Sequence, residues 1–376
     1  MNKKLSIFIL LFVSLMLIAP VAAIVSVTND YYTIYIDDGG QGEFTVGTGT
    51  MHPYPNTNVL YGGTGYPGTS WFEINFYDLS DIATLFDLQS YYQGVAIDTN
   101  SMTETWDIGD SFFSPSTGNF VIARTLTAHG DTYASSYVEI ETTFTNNLTS
   151  TINFGFWDMW DLMIAGSDDA IMRTIGPQIM WTGNFQGWYP PMFSAMEITD
   201  VAPPLNTFSI YIPFEGVDFT PTVPDNFIYG DWSPVGHWGY VPSGGYSDSG
   251  IAFVYGASES SPISLATGES TTIYQYISTN AEAFNINVPS DNNVSPVSFL
   301  PLYRVKLEQA IEMWECIISQ LPEEISEENA LLIESVQSFM SGAITLTNPI
   351  YANGQLSKAI DQMLLIQEAF DIDCVK

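Results

Sequence analysis

Residues 24–279 carry one local pattern almost throughout: short runs of β-branched and aromatic residues whose side chains alternate between apolar and polar. SYVEIETTFT (136–145) is the clearest, with Val138, Ile140 and Thr142 alternating with Glu139, Glu141 and Thr143. A period of two marks a strand with one face buried and one in water, because successive side chains leave a strand on opposite faces. YYTIYI (31–36), SWFEINFY (70–77), NFVIARTLTA (119–128), TFSIYI (207–212), GIAFVYG (250–256) and STTIYQYIS (270–278) share the composition, with Gly, Pro, Asn and Asp turns between them. No strand–helix spacing suited to parallel units interrupts them, and no repeat of about 20–50 residues stands out, which argues against a propeller or solenoid. The expected architecture is mainly β: a large antiparallel sandwich over residues 24–284, two sheets packed face to face.

The period then changes. Residues 285–300 are rich in Asn, Pro and Ser and read as a linker. Behind Pro301, Leu302, Val305, Leu307, Ile311, Trp314 and Ile318 recur at helical spacing. Ser326 with Asn329 marks a second helix start, followed by Leu332, Val336, Phe339 and Met340 before Gly342; Leu356, Ile360, Leu364 and Phe370 follow on a third. Residues 301–376 are therefore expected to form a small C-terminal three-helix bundle. The two cysteines, Cys316 and Cys374, both fall there, near the ends of helices that would run parallel. A disulfide between them is expected, worth roughly 4 kcal/mol in the chain-entropy model; intermolecular bridging or a metal pair are the alternatives.

Residues 1–23 combine Lys3 and Lys4, an apolar run and Val21-Ala22-Ala23, the make-up of a secretory signal peptide. No later apolar run is long enough to span a bilayer, so the mature chain is expected to be secreted or held at the cell surface. Without the leader, six basic residues face 42 acidic ones, and Arg124 and Arg173 are the only bases between residues 24 and 300. Such a field excludes nucleic acid, whose binding needs Lys and Arg on phosphates. It is compatible with glycans or other surface proteins as partners, and with a homo-oligomer. Asn147-Leu-Thr and Asn293-Val-Ser are acceptor patterns for N-glycosylation in an exported chain.

Three groups of residues bear on chemistry. In WDMWDLMIAGSDDA (157–170), strand alternation puts Trp157, Met159 and Asp161 on one face and Asp158 and Trp160 on the other. A turn at Ala165-Gly166-Ser167 would bring Asp168 and Asp169 back toward Asp161. That corner reads first as structural, and calcium is the one cofactor it suggests. The histidines, His52, His129 and His237, have no metal-ligand spacing, and no nucleophile elbow, P-loop or dinucleotide fingerprint occurs. The aromatic residues Trp181, Trp188, Tyr189, Trp232, Trp238 and Tyr240, with His237 among them, lie in Gly/Pro-rich stretches. They either pack over the sandwich or form a sugar-stacking or subunit surface; Trp181, Trp188, Tyr189, Trp232, His237 and Trp238 are the candidate ligand-binding set.

The succession VLYGGTGYPGTSWFEINF (59–76), ETTFTNNLTSTINFGFWDMWDLMIAGSDDA (141–170), PDNFIYGDWSPVGHWGY (224–240), SDSGIAFVYG (247–256) and LATGESTTIYQY (265–276) resembles a diffuse group of exported prokaryotic β proteins. Their sheets are similar to the supersandwich of galactose-mutarotase-like and carbohydrate-active proteins. The resemblance covers about residues 30–280. It implies a supersandwich fold and sets Asp161, Asp168 and Asp169 at the corner by position. Mutarotase-type enzymes use a His and a Glu on facing strands, whereas none of the three histidines here falls mid-strand. The favoured expectation is therefore non-enzymatic: a glycan-binding, adhesive or surface-assembly (layer or sheath) protein. The alternative is a carbohydrate-active enzyme of mutarotase-like or polysaccharide-lyase type.

Overall fold

The structure, a computed structural model, describes residues 24–79, 81–83, 88–176, 187–189, 194–199, 208–216, 219–240 and 248–288, and single residues or short runs between 311 and 372. Strands dominate, as the alternation requires, and every pairing among them is antiparallel. A three-stranded sheet runs β1 (Ile24–Thr28), β2 (Tyr32–Asp37), β3 (Phe44–Thr48). A second three-stranded sheet runs β11 (Ile171–Ile175), β13 (Ala195–Thr199), β14 (Ser209–Pro213). A five-stranded sheet has the order β18 (Ser270–Ile277), β9 (Tyr137–Asn146), β8 (Asn119–His129), β7 (Ser101–Gly109), β6 (Tyr92–Ile97). The seven-stranded sheet has the order β12 (Gly187–Tyr189), β15 (Asn226–Asp231), β16 (Ser249–Tyr255), β10 (Ile152–Asp161), β4 (Trp71–Phe76), β5 (Asp81–Ala83), with β17 (Ile263–Leu265) also paired to β10.

This corrects the expected fold in two respects. The described strands form four separate sheets where two broad layers were expected, a plan nearer to the several small sheets of a propeller. Alternation dictates which face a side chain takes, but it is silent on where one hydrogen-bonded ladder stops and the next begins. Nor is a three-helix bundle found: the bounded helical elements among the described residues are Tyr77–Leu79, Tyr133–Ser135, Trp232–Val235 and Ala281–Phe284, each three or four residues long. Beyond residue 310, Ile317, Val336, Met340, Ala359, Met363, Ile366 and Ile372 form an apolar cluster of their own. Cys316 is disulfide-bonded; Cys374 lies outside the described residues, as do residues 1–23, where a leader is expected, and Asn293.

One contiguous core takes residues from all four sheets, Ile34, Phe72, Ile122 and Ile198 among them. The five-stranded sheet turns every second side chain into it and leaves the other face partly in water. β10 differs, being buried on both faces from Gly155 to Asp161. Its core face carries Asp158, which accepts a 2.8 Å hydrogen bond from Nη2 of Arg124 on β8 and a 2.9 Å bond from Nε1 of Trp160. The guanidinium lies 4.3 Å from the centroid of the Phe44 ring, and Glu104 stands directly opposite Arg124 in the β7–β8 ladder. One of the few cations of this chain is thus sealed in the middle of the molecule. The outer face of β10 is covered instead by a second apolar cluster built on the 232–240 segment.

Candidate functional site

The outer face of the seven-stranded sheet collects the chemistry that the Gly/Pro-rich aromatic stretches foreshadow. Register sets Glu73 opposite Trp157 and Trp71 opposite Met159, so these four share that face, while Asp158 points away into the core. Over them lies a tight segment that starts after β15. Asp231 occupies the position before a single helical turn, Trp232–Val235, with Pro234 where a first turn needs no backbone donor. Gly236 closes it, its N–H donating to the Trp232 carbonyl at 3.1 Å.

Hydrogen bonds hold the segment against the sheet and the residue that leads into β16. Trp157 Nε1 donates to the Val235 carbonyl at 2.8 Å, the Trp232 N–H donates to the Asp248 carbonyl at 2.9 Å, and the Trp238 N–H donates to Glu73 Oε2 at 2.7 Å. Close approach depends on missing side chains in the sheet beneath. A Cβ on Gly155 would come within 2.2 Å of the Trp238 ring, and one on Gly250 within 2.7 Å of the Trp232 Cα. Trp238 packs between Trp157, at 5.5 Å between centroids, and Tyr77, at 6.2 Å. It serves to seat the segment.

His237 is placed differently. Its side chain is 64% exposed, and its Nδ1 lies 3.3 Å from Oε1 of Glu73, a carboxylate only 4% exposed. A carboxylate accepts, so Nδ1 is the nitrogen that donates to Glu73, and in the tautomer this selects Nε2 is the ring's acceptor. Trp71 flanks the imidazole at 6.2 Å and meets Trp232 edge-on at 6.0 Å. The result is an oriented imidazole backed by a buried acid, beside the half-buried Trp232 and the buried Trp71. Such a group can accept a hydrogen bond from a hydroxyl, or take its proton. A groove of about 550 Å³ lined by Ile175, Ser194, Glu215, Phe284 and Asn285 shares no residue with this surface.

Of the expected ligand-binding residues, the structure brings Trp232, His237 and Trp238 together. Trp181 lies outside the described residues, and Trp188 and Tyr189 belong to β12 with their side chains outside the description. Glu73 and Trp71 were not anticipated. Their signal was legible in SWFEINFY, where alternation puts Trp71, Glu73 and Asn75 on one face: an acid between apolar neighbours in a strand needs a partner if that face is covered.

The acidic corner is rearranged relative to expectation. Ala165 and Gly166 both take positive φ, 53° and 90°, and Ile164 and Ser167 exchange hydrogen bonds of 3.0 and 2.9 Å, so the turn expected at Ala165-Gly166-Ser167 is a two-residue one. Asp169 is exposed and accepts from the Ser167 hydroxyl at 2.8 Å, facing its own turn. Burial, with the charge of Asp169 adding to it, raises the pKa of Asp168, and Asp248 joins the group. Burial, with the charges of Asp248 and Asp168 adding to it, pushes the Asp161 carboxyl up to about 8. Asp248 itself is pushed up to about 6 by burial and by Asp168 and Asp231. No group of three or more His, Cys, Asp or Glu among the described residues is arranged to hold a metal ion.

The other two histidines are accounted for locally. His52 is buried; its Nδ1 accepts from the Tyr54 N–H at 2.9 Å and its Nε2 meets Thr279 Oγ1 at 2.6 Å, and burial lowers its pKa. His129 stacks on Tyr137 at 4.8 Å and stands 3.6 Å from Glu139 Oε1, beyond hydrogen-bond reach, on the solvated side of its sheet.

No family model and no curated protein matches the sequence. Among solved structures the chain is similar to a galactose mutarotase-like protein from Lactobacillus casei, at 10% identity and TM-score 0.43, covering 68% of this chain and 99% of that one. A galactose mutarotase related enzyme from Lactobacillus acidophilus is similar at 9% identity and TM-score 0.41, covering 71% and 100%. A GalM/aldose epimerase homologue from C. elegans is similar at 8% identity and TM-score 0.40, covering 68% and 98%.

Proposed function

We propose that this protein is carbohydrate-active, engaging a sugar on the outer face of the seven-stranded sheet with His237 as the group that contacts, and exchanges a proton with, a sugar hydroxyl. One observation carries the reading: an exposed imidazole whose Nδ1 lies 3.3 Å from a buried carboxylate, next to the half-buried Trp232. Aromatic faces bind the apolar face of a pyranose and the imidazole supplies direction. Glu73 is the positioning residue, fixing the tautomer and the ring plane. The acidic chain suits a neutral ligand, and the leader-like residues 1–23 agree with action outside the cell.

The 64% exposure of the His237 side chain favours a second reading, binding without chemistry, since catalysis gains from a site that excludes water. The two are separable. Glycan-array binding is expected for the wild type and is expected to fall at least about tenfold in Trp232→Ala, the loss of a stacking contact worth ~1.4 kcal/mol. Catalysed anomerisation of a bound sugar, followed by NMR, is expected to vanish in His237→Ala and to weaken in Glu73→Gln with binding largely retained. Binding without catalysed anomerisation establishes the adhesive reading. An empty array together with uncatalysed anomerisation rejects both.

A further inference from the structure

We infer that Asn147 is a site of N-linked glycosylation, an inference independent of the sugar-engaging surface but resting on export directed by residues 1–23. The sequence pattern Asn147-Leu148-Thr149 is common by chance; the structure gives it the right setting. The three residues open the connection between β9 and β10, residues 147–151. Leu148 is buried at 1% exposure, whereas Asn147 and Thr149 on either side of it are exposed. The acceptor amide and the hydroxyl two residues on, both of which glycosyl transfer requires, thus belong to exposed residues, the hydroxyl accepting from the Thr117 N–H at 3.2 Å with its own proton left to donate.

The loop is fixed through its backbone, not through the acceptor. The Asn147 N–H donates to the Asn119 carbonyl and the Thr149 N–H to the Thr117 carbonyl, each at 2.9 Å. The preceding Asn146 does the structural work: its Oδ1 accepts from the Leu148 N–H at 2.9 Å, and its Nδ2 donates to the carbonyls of Ser150 at 2.9 Å and Leu265 at 2.8 Å. The Asn147 side chain makes no hydrogen bond among the described residues. Of two adjacent asparagines, one is fully employed and the other is idle at the surface, inside the acceptor pattern. Gly118 faces this loop, and a Cβ there would come within 2.2 Å of the Asn147 carbonyl oxygen, so the neighbouring turn keeps close to the backbone while leaving the side chain open.

The donor would be a polyprenyl diphosphate-linked oligosaccharide. In the transfer, Nδ2 of Asn147 forms a bond to the anomeric carbon, the bond from that carbon to the diphosphate oxygen breaks, and the diphosphate leaves with the electron pair. The amide loses one proton to base, and nothing is oxidised or reduced.

The test is translation of the full chain in the presence of glycosylation-competent microsomes, with protease protection to score import and glycosidase digestion followed by peptide mass spectrometry to locate the sugar. Imported chain carrying a glycan on Asn147, lost in Asn147→Gln and Thr149→Ala and kept in Thr149→Ser, is the expected result. Imported chain with Asn147 unmodified overturns the site. Exclusion of the chain from the lumen overturns the export on which the site depends. Failure of the sugar-binding assays leaves this result untouched.

Discussion

Replacing Glu104 by Gln should make the protein more stable at alkaline pH and flatten the dependence of its stability on pH. Glu104 is fully buried, and neither carboxylate oxygen has a hydrogen-bond partner among the described residues. Burial pushes its carboxyl up to about 8; Arg124 opposes the shift, and the charges of Asp38, Asp37 and Glu43 reinforce it. The nearby Arg124 is already committed to Asp158, so it compensates Glu104 only in part.

Linkage gives the sign. Stability changes with pH in proportion to the protons bound by the unfolded chain minus those bound by the folded one. Between an ordinary carboxyl near 4.5 and the folded value of about 8, the folded state holds a proton that the unfolded state has released. Stability therefore falls as pH rises through that window and levels off above it. At about 1.4 kcal/mol per pH unit the ceiling is roughly 5 kcal/mol, and water penetration and local relaxation reduce it to about 2–4 kcal/mol. Glu43, pushed up to about 7 by burial and Asp37, and Asp161 at about 8 act in the same direction, so a slope remains in the variant. Urea denaturation at about pH 5 and pH 8.5 would measure it. The expected outcome is a wild-type stability that drops with pH and a Glu104→Gln chain that drops by about 2 kcal/mol less. Parallel wild-type and variant profiles would refute the reasoning, since they would mean that Glu104 ionises in the folded protein as readily as in the unfolded one.

Removing one partner of the sealed Arg124–Asp158 pair leaves a buried charge behind, so Asp158→Asn is expected to cost about 3–5 kcal/mol, whereas Arg124→Met with Asp158→Leu should cost far less; a double-mutant cycle by urea unfolding checks this. Gly155→Ala drives a methyl into the Trp238 ring and is expected to cost about 1–3 kcal/mol and to weaken glycan retention, a change visible as a shift in Trp fluorescence. Asp161, Asp168 and Asp248 crowd together without converging on a cation, so calcium at about 5 mM is expected to leave Tm unchanged; a rise abolished by Asp168→Asn would instead place a metal at the corner.

Much of the β architecture was readable because it is written in side-chain alternation. The seven quoted runs all contain strands, and the separation of Asp158 from Asp161 follows from residue parity alone. Other strands escaped. SMTETWDIG (β7) carries a buried Glu104 where alternation expects an apolar residue, and β11 carries Arg173, almost fully buried and paired with Glu197 on β13. A buried charge looks like a surface residue until its partner is known, and the partner sits on another strand. The site shows the same division. Trp232, His237 and Trp238 stand together in one short stretch and could be suspected jointly, but Glu73 lies about 160 residues away in sequence and meets His237 only through strand order.

The sequence by itself determined the local facts: the strand period, the face each side chain takes, the turn at Ala165-Gly166 and the scarcity of bases. Those properties depend on neighbours a few residues apart, where backbone geometry leaves little choice. Only the tertiary structure decided how many sheets the strands make, that Asp248 joins the acidic corner, and which carboxylate backs the exposed imidazole. These depend on contacts between distant segments, chosen by the burial of a whole face and the pairing of each buried charge, and no local pattern encodes that choice.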